Sequence, residues 1–154
     1  MKKLILSVAL VLGCLTFANA QQNALGLKFG GWHNSADISY QRFLGDSNRL
    51  EANLGVVGFD FLDIISLNAK YQWVFGLDQL APGFKWYVGA GAGTTLGSGV
   101  DFNLRVLGNI GIEYNFNFPL QLAFDYSPSM AITPSFGSTY FGDGGIRFAA
   151  RWRF

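Results

Sequence analysis

The stretch IISLNAKYQWVF, residues 64–75, decides the fold, because apolar and polar side chains alternate along most of it. Every odd-numbered position from 65 to 75 is apolar, and the even-numbered positions from 66 to 72 are polar. Successive side chains of a β-strand point to opposite faces of the sheet. The stretch therefore predicts a strand with one apolar face and one polar face.

The same period of two recurs in seven further stretches. The eight predicted strands are 24–32, 36–44, 49–58, 64–75, 84–93, 101–114, 119–127 and 144–154. Within them, every charged residue except Arg42 falls on the polar face. The alternation alone fits a soluble sandwich as well as a membrane barrel, because it does not say which face is inside.

Three further features favour lipid on the apolar side. Strands of about 9–11 residues are long for a soluble domain but match a tilted bilayer crossing. An even number of strands puts both chain ends on one side of the membrane. Aromatic residues lie near the predicted strand ends, as in the girdles of membrane barrels. The predicted girdle is Tyr40, Trp73, Phe75, Phe84, Trp86, Tyr114 and Tyr126. The predicted fold is an all-β, eight-stranded, antiparallel, up-and-down transmembrane β-barrel. Leu104 is expected near the middle of its membrane crossing.

Composition supports this fold class. Half of the residues are hydrophobic and 16% are aromatic, but only 14% are charged, against roughly 25% in an average soluble domain. After the first 20 residues, no stretch approaches the ~20 apolar residues that a membrane helix needs. The charge is nearly balanced, and nothing in the sequence suggests nucleic-acid binding.

The first 20 residues have the features of an export signal. Lys2 and Lys3 precede an apolar run over residues 4–17, and Ala18-Asn19-Ala20 has the small-x-small pattern of a cleavage site. The predicted organisation is therefore a cleaved signal peptide, 1–20, followed by one transmembrane β-barrel domain, 21–154.

The single cysteine, Cys14, leaves a second way of processing open. Residues 11–14 end in a small residue followed by cysteine, which could form a lipoprotein processing site. Leu12 is bulky for its place in such a site, and the residues after Cys14 are apolar. The cleavage site at 18–20 is therefore favoured.

The polar faces of the strands would line the lumen of the barrel. An eight-stranded barrel is just wide enough for side chains to fill it, and buried charges must be paired or hydrated. A structural network of ion pairs is therefore expected, and the alternative is a narrow, basic water path that favours anions. The predicted lumen network is Lys28, Asp37, Arg49, Glu51, Lys70, Lys85, Arg105, Glu113, Asp125, Arg147, Arg151 and Arg153.

The C-terminal stretch IRFAARWRF, residues 146–154, ends in phenylalanine with apolar residues at alternate preceding positions. It resembles the end of small eight-stranded outer-membrane proteins of the OmpA/OmpX-like type, also grouped as an outer-membrane β-barrel or porin-like family. The resemblance covers residues 24–154. It implies a Gram-negative outer membrane, periplasmic termini, and an assembly signal at Phe148, Trp152 and Phe154 that the barrel-assembly machinery recognises. The alternative is that Phe154 is simply the last lipid-facing residue.

The resemblance leaves catalysis open, because lipid A deacylases and acyltransferases use the same scaffold. His33-Asn34-Ser35 is superficially similar to the His-x-Ser motif of the deacylases, but in that family the motif lies late in the chain, on the lipid-facing wall. Here it falls in the first loop, with Asp37 as the nearest acid. One histidine and no cysteine after the signal make no usual transition-metal site. We expect no catalytic residue, no metal and no cofactor.

The sequence thus predicts a monomeric, non-enzymatic protein in outer-membrane lipid, with a structural or interfacial role. A small passive channel is the main alternative. A ligand-binding role would fall in the predicted loop from Pro128 to Asp143, which is unusually apolar. Its apolar residues include Met130, Ile132, Phe136, Tyr140 and Phe141.

Overall fold

The computed structural model describes residues 22–31, 35–56, 64–97, 103–133, 138–141 and 144–154. The strands are β1 (Asn23–Gly30), β2 (Ser35–Phe43), β3 (Asn48–Val56), β4 (Ile64–Gly76), β5 (Phe84–Gly97), β6 (Asn103–Asn115), β7 (Leu120–Tyr126), β8 (Ser129–Thr133), β9 (Ser138–Phe141) and β10 (Ile146–Arg153). Every pairing between these strands is antiparallel. No helix in the described ranges is long and apolar enough to cross a membrane.

The sheet closes on itself. Consecutive strands pair from β1 to β7, β7 pairs with β10, and β10 pairs with β1. The closing seam places Ala24 opposite Arg153 and Gly30 opposite Arg147. An open edge in lipid would leave backbone N–H and C=O groups unpaired at several kcal/mol each, and closure removes that cost. The predicted eight-stranded antiparallel barrel is confirmed.

Ten strands occupy eight positions because two barrel strands are interrupted. β7 and β8 both pair with β6 in one continuous register, Tyr126 with Ile110 and Ser129 with Leu107. Between them, the Gly108 N–H donates to the carbonyl oxygen of Pro128 at 2.9 Å. The break falls at Pro128 because proline has no N–H to continue the ladder. β9 and β10 together form the eighth barrel strand.

The sequence-based boundaries at this point are wrong. Residues 119–127 are too short for the seventh strand, and the described part of Pro128–Asp143 is not a loop, because Ser129–Thr133 and Ser138–Phe141 form the β8–β9 hairpin. A proline within an alternating stretch usually signals a turn. Here it interrupts the strand without changing its register.

Burial is inverted relative to a soluble protein. Among the described residues, 20 polar or charged side chains are buried but only six hydrophobic ones, while 24 large hydrophobic side chains are exposed. A soluble sandwich buries its apolar faces between two sheets. The polar faces therefore line the lumen and the apolar faces form the outer wall.

The first and last described residues, Gln22 and Phe154, lie at one end of the barrel, which we call the termini end. The turns at 44–47, 77–83 and 116–119 lie at this end, close to the gaps between the predicted strands. At the opposite, far end, the β1–β2, β3–β4, β5–β6 and β8–β9 connections include residues outside the described ranges. The predicted signal peptide, with Cys14, and His33 also fall outside them.

The outer wall carries aromatic side chains near the termini end. Phe75 and Trp86 stack with ring centroids 4.5 Å apart, and Phe84 meets Tyr114 at 5.3 Å. Trp73 and Tyr40 lie on the same part of the wall. Tyr126 differs from the prediction: it lies between Ile110 and Ile146, within the wall, because β8 continues the strand beyond it.

Candidate functional site: the polar lumen

Among the described residues, Glu51 of β3 is the lumen carboxylate with the most ion-pair partners. Its carboxylate lies 3.0 Å from Lys28 Nζ, 3.1 Å from Arg151 Nη2 and 3.7 Å from Lys70 Nζ. The amides of Gln41 and Gln72 donate to it at 2.8 and 3.1 Å. Register explains part of this cluster, because Gln41 and Lys70 stand directly opposite Glu51 on the two neighbouring strands.

Asp125 of β7 is the second acidic centre, and Lys28 joins it to the first. Lys28 Nζ lies 2.6 Å from Asp125 and 3.0 Å from Glu51. The Tyr87 hydroxyl donates to Asp125 at 2.8 Å, and the Ser127 hydroxyl donates to it at 2.7 Å. One lysine therefore bridges two carboxylates on opposite sides of the barrel.

Two arginines also cross the lumen. Arg49 pairs with Glu113 of β6 and donates to Gln72, while its guanidinium carbon lies 4.6 Å from the Tyr87 ring centroid. Arg151 donates to Ser39 and Gln121 as well as to Glu51. Both arginine side chains are fully buried. Each guanidinium has several partners, which is what a buried charge requires.

The network continues toward the far end. Arg147 pairs with Asp37 and donates to Ser35 at 2.6 Å. Arg105 donates to Asn68 at 3.1 Å and to the carbonyl oxygen of Thr94 at 3.4 Å. The side chain of Arg147 is 16% exposed, so the lumen becomes accessible to solvent at this level.

The centre of the lumen is filled, with space at each side of it. A cavity of about 310 Å³ lies at the termini end, next to Phe43, Lys85 and Arg153. A cavity of about 20 Å³ lies toward the far end, next to Lys70 and Arg105, and such a volume holds about one water molecule. Between the two lie the largest fully buried side chains, including Arg49, Arg151, Tyr87, Gln41, Gln72 and Gln121.

The structure brings together most of the charged residues assigned to the lumen from sequence. Within the described residues, nine of the twelve take part in ion pairs. Arg105 is hydrogen-bonded near the far end, and Lys85 and Arg153 line the termini-end cavity. Sequence reasoning did not assign the uncharged partners Gln41, Gln72, Gln121 and Tyr87 to the site. Their positions on the polar faces of the predicted strands were the sequence feature that could have identified them.

Gly111 makes room for Tyr87. The two residues are opposite each other in the β5–β6 register, and a Cβ atom at Gly111 would lie 2.8 Å from Tyr87 Cζ and 2.5 Å from Asp125 Cβ. We predict that Gly111→Val displaces the tyrosine ring, breaks its hydrogen bond to Asp125 and lowers the free energy of unfolding by about 1–3 kcal/mol, the usual cost of overpacking. Urea unfolding in lipid vesicles measures the change.

Gly45→Ala is the matched control for this prediction. Gly45 lies in a termini-end turn, and a Cβ atom added there would meet nothing within 4 Å. Equal unfolding midpoints for the Gly111→Val and Gly45→Ala variants would show that the Tyr87 ring does not depend on the space at Gly111.

Comparison with known proteins supports the fold. No family model and no curated protein matches the sequence. The N-terminal β-barrel domain of Pseudomonas aeruginosa OprF superposes with a TM-score of 0.68 at 15% identity, over 88% of this chain and 100% of that one. Neisserial surface protein A superposes with a TM-score of 0.57 at 16% identity, over 86% and 94%. A transmembrane β-barrel designed de novo gives 0.60 at 13% identity, over 88% and 98%.

These identities show the fold alone. The resemblance to small eight-stranded outer-membrane barrels is confirmed at that level. The chain has the architecture of a transmembrane β-barrel, with an apolar outer wall and a polar lumen.

Proposed function

We propose that this chain is an integral outer-membrane protein with a structural or interfacial, non-enzymatic role, and that its own side chains close its lumen. The observation that supports closure is the network around Glu51, which connects β1, β3, β4 and β10 between the two cavities. Arg49 and Arg151 fill the same level of the barrel and are fully buried.

The outer wall supports the proposed location. Its exposed apolar side chains would face outer-membrane lipid, and the aromatic residues near the termini end would lie at one membrane interface. With the termini in the periplasm, that interface is the inner leaflet. A monomer accounts for the fold, because the barrel closes within one chain.

The last strand supports the proposed role of the barrel-assembly machinery. Phe148 and Trp152 are about half exposed on the outer wall of β10. The backbone of Phe154 exchanges hydrogen bonds with Asn23 at 2.9 and 3.0 Å, at the seam where β10 meets β1. We propose that these three aromatic residues form the assembly signal. They would then be carried by the strand that closes the barrel.

The proposed closed lumen predicts that the protein does not conduct ions across planar bilayers. The refolded wild-type chain should give no reproducible unitary conductance. An Arg49→Ala/Arg151→Ala double variant removes two of the largest fully buried side chains and should give discrete conductance steps. Heat modifiability on gels shows whether the variant is still a barrel. The control Arg42→Ala, a change on the outer wall, should give no conductance.

The alternative function is a small passive channel with a weak anion preference. It is favoured by the sign of the lumen charges, eight basic against four acidic among the predicted residues. Reproducible unitary conductance of the wild-type chain would support this channel and contradict the closed lumen.

A further inference from the structure

The termini-end cavity, which we call the vestibule, is large enough for a small molecule. Its volume of about 310 Å³ lies at the lower end of the range for small-molecule sites. It is lined by Gln22, Phe43, Gly45, Asp46, Lys85, Asn115 and Arg153. The filled centre of the barrel closes its inner side, so a ligand would enter from the solvent at the termini end.

Two cations of the vestibule differ from those deeper in the lumen. Lys28, Arg49, Lys70, Arg147 and Arg151 each form an ion pair with a carboxylate. In the described part of the chain, no acidic side chain lies within ion-pair distance of the two vestibule cations, Lys85 and Arg153.

Arg153 is held in place while part of its guanidinium stays available. Its Nη2 donates to the carbonyl oxygens of Phe116 at 2.7 Å and Phe118 at 3.3 Å. Its Nε is buried without a hydrogen-bond partner among the described residues, whereas its Nη1 is neither hydrogen-bonded to them nor among the buried polar atoms, so that nitrogen is accessible to a ligand. A guanidinium whose position is fixed by backbone carbonyls loses little conformational freedom when it binds an anion, and it offers directed N–H donors.

Lys85 and Arg49 lie near the same aromatic ring. Lys85 Nζ is 5.8 Å from the Phe43 ring centroid, and the Arg49 guanidinium carbon is 5.5 Å from it. Arg49 pairs with Glu113, so its charge is largely compensated. Asp46 is the one acid in the vestibule lining, and it lies in an exposed turn. The lining therefore carries two cations against one anion.

We propose that the vestibule binds a small soluble oxyanion, a phosphate or carboxylate group, between Lys85 and Arg153. The amide groups of Gln22 and Asn115 add hydrogen-bonding capacity to the same cavity. A concave site lined by an excess of one charge, with low-dielectric walls, raises the local concentration of the opposite charge. This binding function goes beyond the structural role and does not require the lumen to conduct.

Nuclear magnetic resonance titration of the ¹⁵N-labelled chain tests the proposal. The protein is refolded in an uncharged maltoside detergent, so that no phosphate headgroup competes, and is titrated with inorganic phosphate or with succinate. We expect saturable shifts of the Arg153 Nε–H signal and of the backbone amides of Gly45 and Asn115. A response to phosphate alone or to succinate alone supports the site and identifies its ligand class.

Three substitutions locate the binding. Lys85→Gln and Arg153→Gln should each weaken anion binding at least tenfold, as measured from the chemical shifts of the Gly45 and Asn115 amides. Arg42→Gln is the matched control, because Arg42 is a cation near the same end of the barrel that faces outward, and it should leave the affinity unchanged. No saturation with either anion, or equal weakening by Arg42→Gln, would overturn the proposal. Conductance does not enter this readout, so the site and the closed lumen can fail separately.

Discussion

Replacing Glu51 with alanine should lower the free energy of unfolding by about 3–5 kcal/mol, the typical cost of removing one partner from a buried ion pair. The carboxylate is the shared partner of Lys28, Lys70 and Arg151, all of them buried. Lys28 would keep Asp125, but Arg151 would lose its only ion-pair partner among the described residues. Urea unfolding in lipid vesicles, followed by tryptophan fluorescence, measures the loss.

Two controls show whether the destabilisation comes from the charge of Glu51 or from its shape, and whether the loss of any carboxylate would have the same effect. Glu51→Gln keeps the size of the side chain and one oxygen acceptor, so it should destabilise the barrel less than Glu51→Ala. Asp46→Asn removes a carboxylate from an exposed turn, where a single charge contributes about 0–1 kcal/mol. If Glu51→Ala and Asp46→Asn unfold at the same urea concentration, the lumen network does not stabilise the barrel.

The large destabilisation expected for Glu51→Ala does not mean that a charged lumen is more stable than a well-packed apolar one. Buried ion pairs often contribute little net stability relative to well-packed apolar residues, because both charges must leave water. A polar lumen has a different consequence in a membrane barrel. It makes the two faces of each strand chemically unlike, so a one-residue register slip would expose charges such as Glu51 to lipid and is strongly disfavoured.

The period of two predicts the faces of the strands because it is a local property. Each side chain's face depends only on its position along its own strand, so Lys28, Glu51 and Asp125 could be assigned to one surface from sequence. Their partners could not be assigned in the same way. Lys28 stands opposite Asp37 in the β1–β2 register, yet it pairs with Glu51 and Asp125, while Asp37 pairs with Arg147.

These pairings depend on side chains that reach across the barrel. Arg49 and Glu113 are 64 positions apart in sequence, and Glu51 and Arg151 are 100 apart. Their contacts follow from closure, strand tilt and the inward reach of long side chains, none of which leaves a local pattern. The same limit explains the error at Pro128: a proline signals a break in the ladder, but only the neighbouring β6 shows that the register continues.

Strand boundaries also determine how deep each residue lies in the membrane, as Leu104 shows. The predicted strand 101–114 suggested a position near mid-membrane, but Leu104 is the second residue of β6. With a rise of ~3.3 Å per residue and a strand tilt of ~40°, each residue advances about 2.5 Å along the membrane normal. Taking Tyr114 as the aromatic interface, Ile110 lies about 10 Å inside it and Leu104 about 25 Å away, at the opposite edge of a ~25 Å apolar band.

Ile110→Arg should therefore lower the free energy of unfolding by about 2–4 kcal/mol, whereas Leu104→Arg should cost about 0–1 kcal/mol. Both side chains are exposed on the outer wall of β6, Ile110 at 52% and Leu104 at 46%, so depth is the main difference between the two sites. Urea unfolding in vesicles measures both variants. Equal costs would mean that the apolar band is not centred near Ile110. The native chain already carries an outward arginine, Arg42, at the end of β2 that lies near the aromatic residues, where an arginine can reach the headgroups.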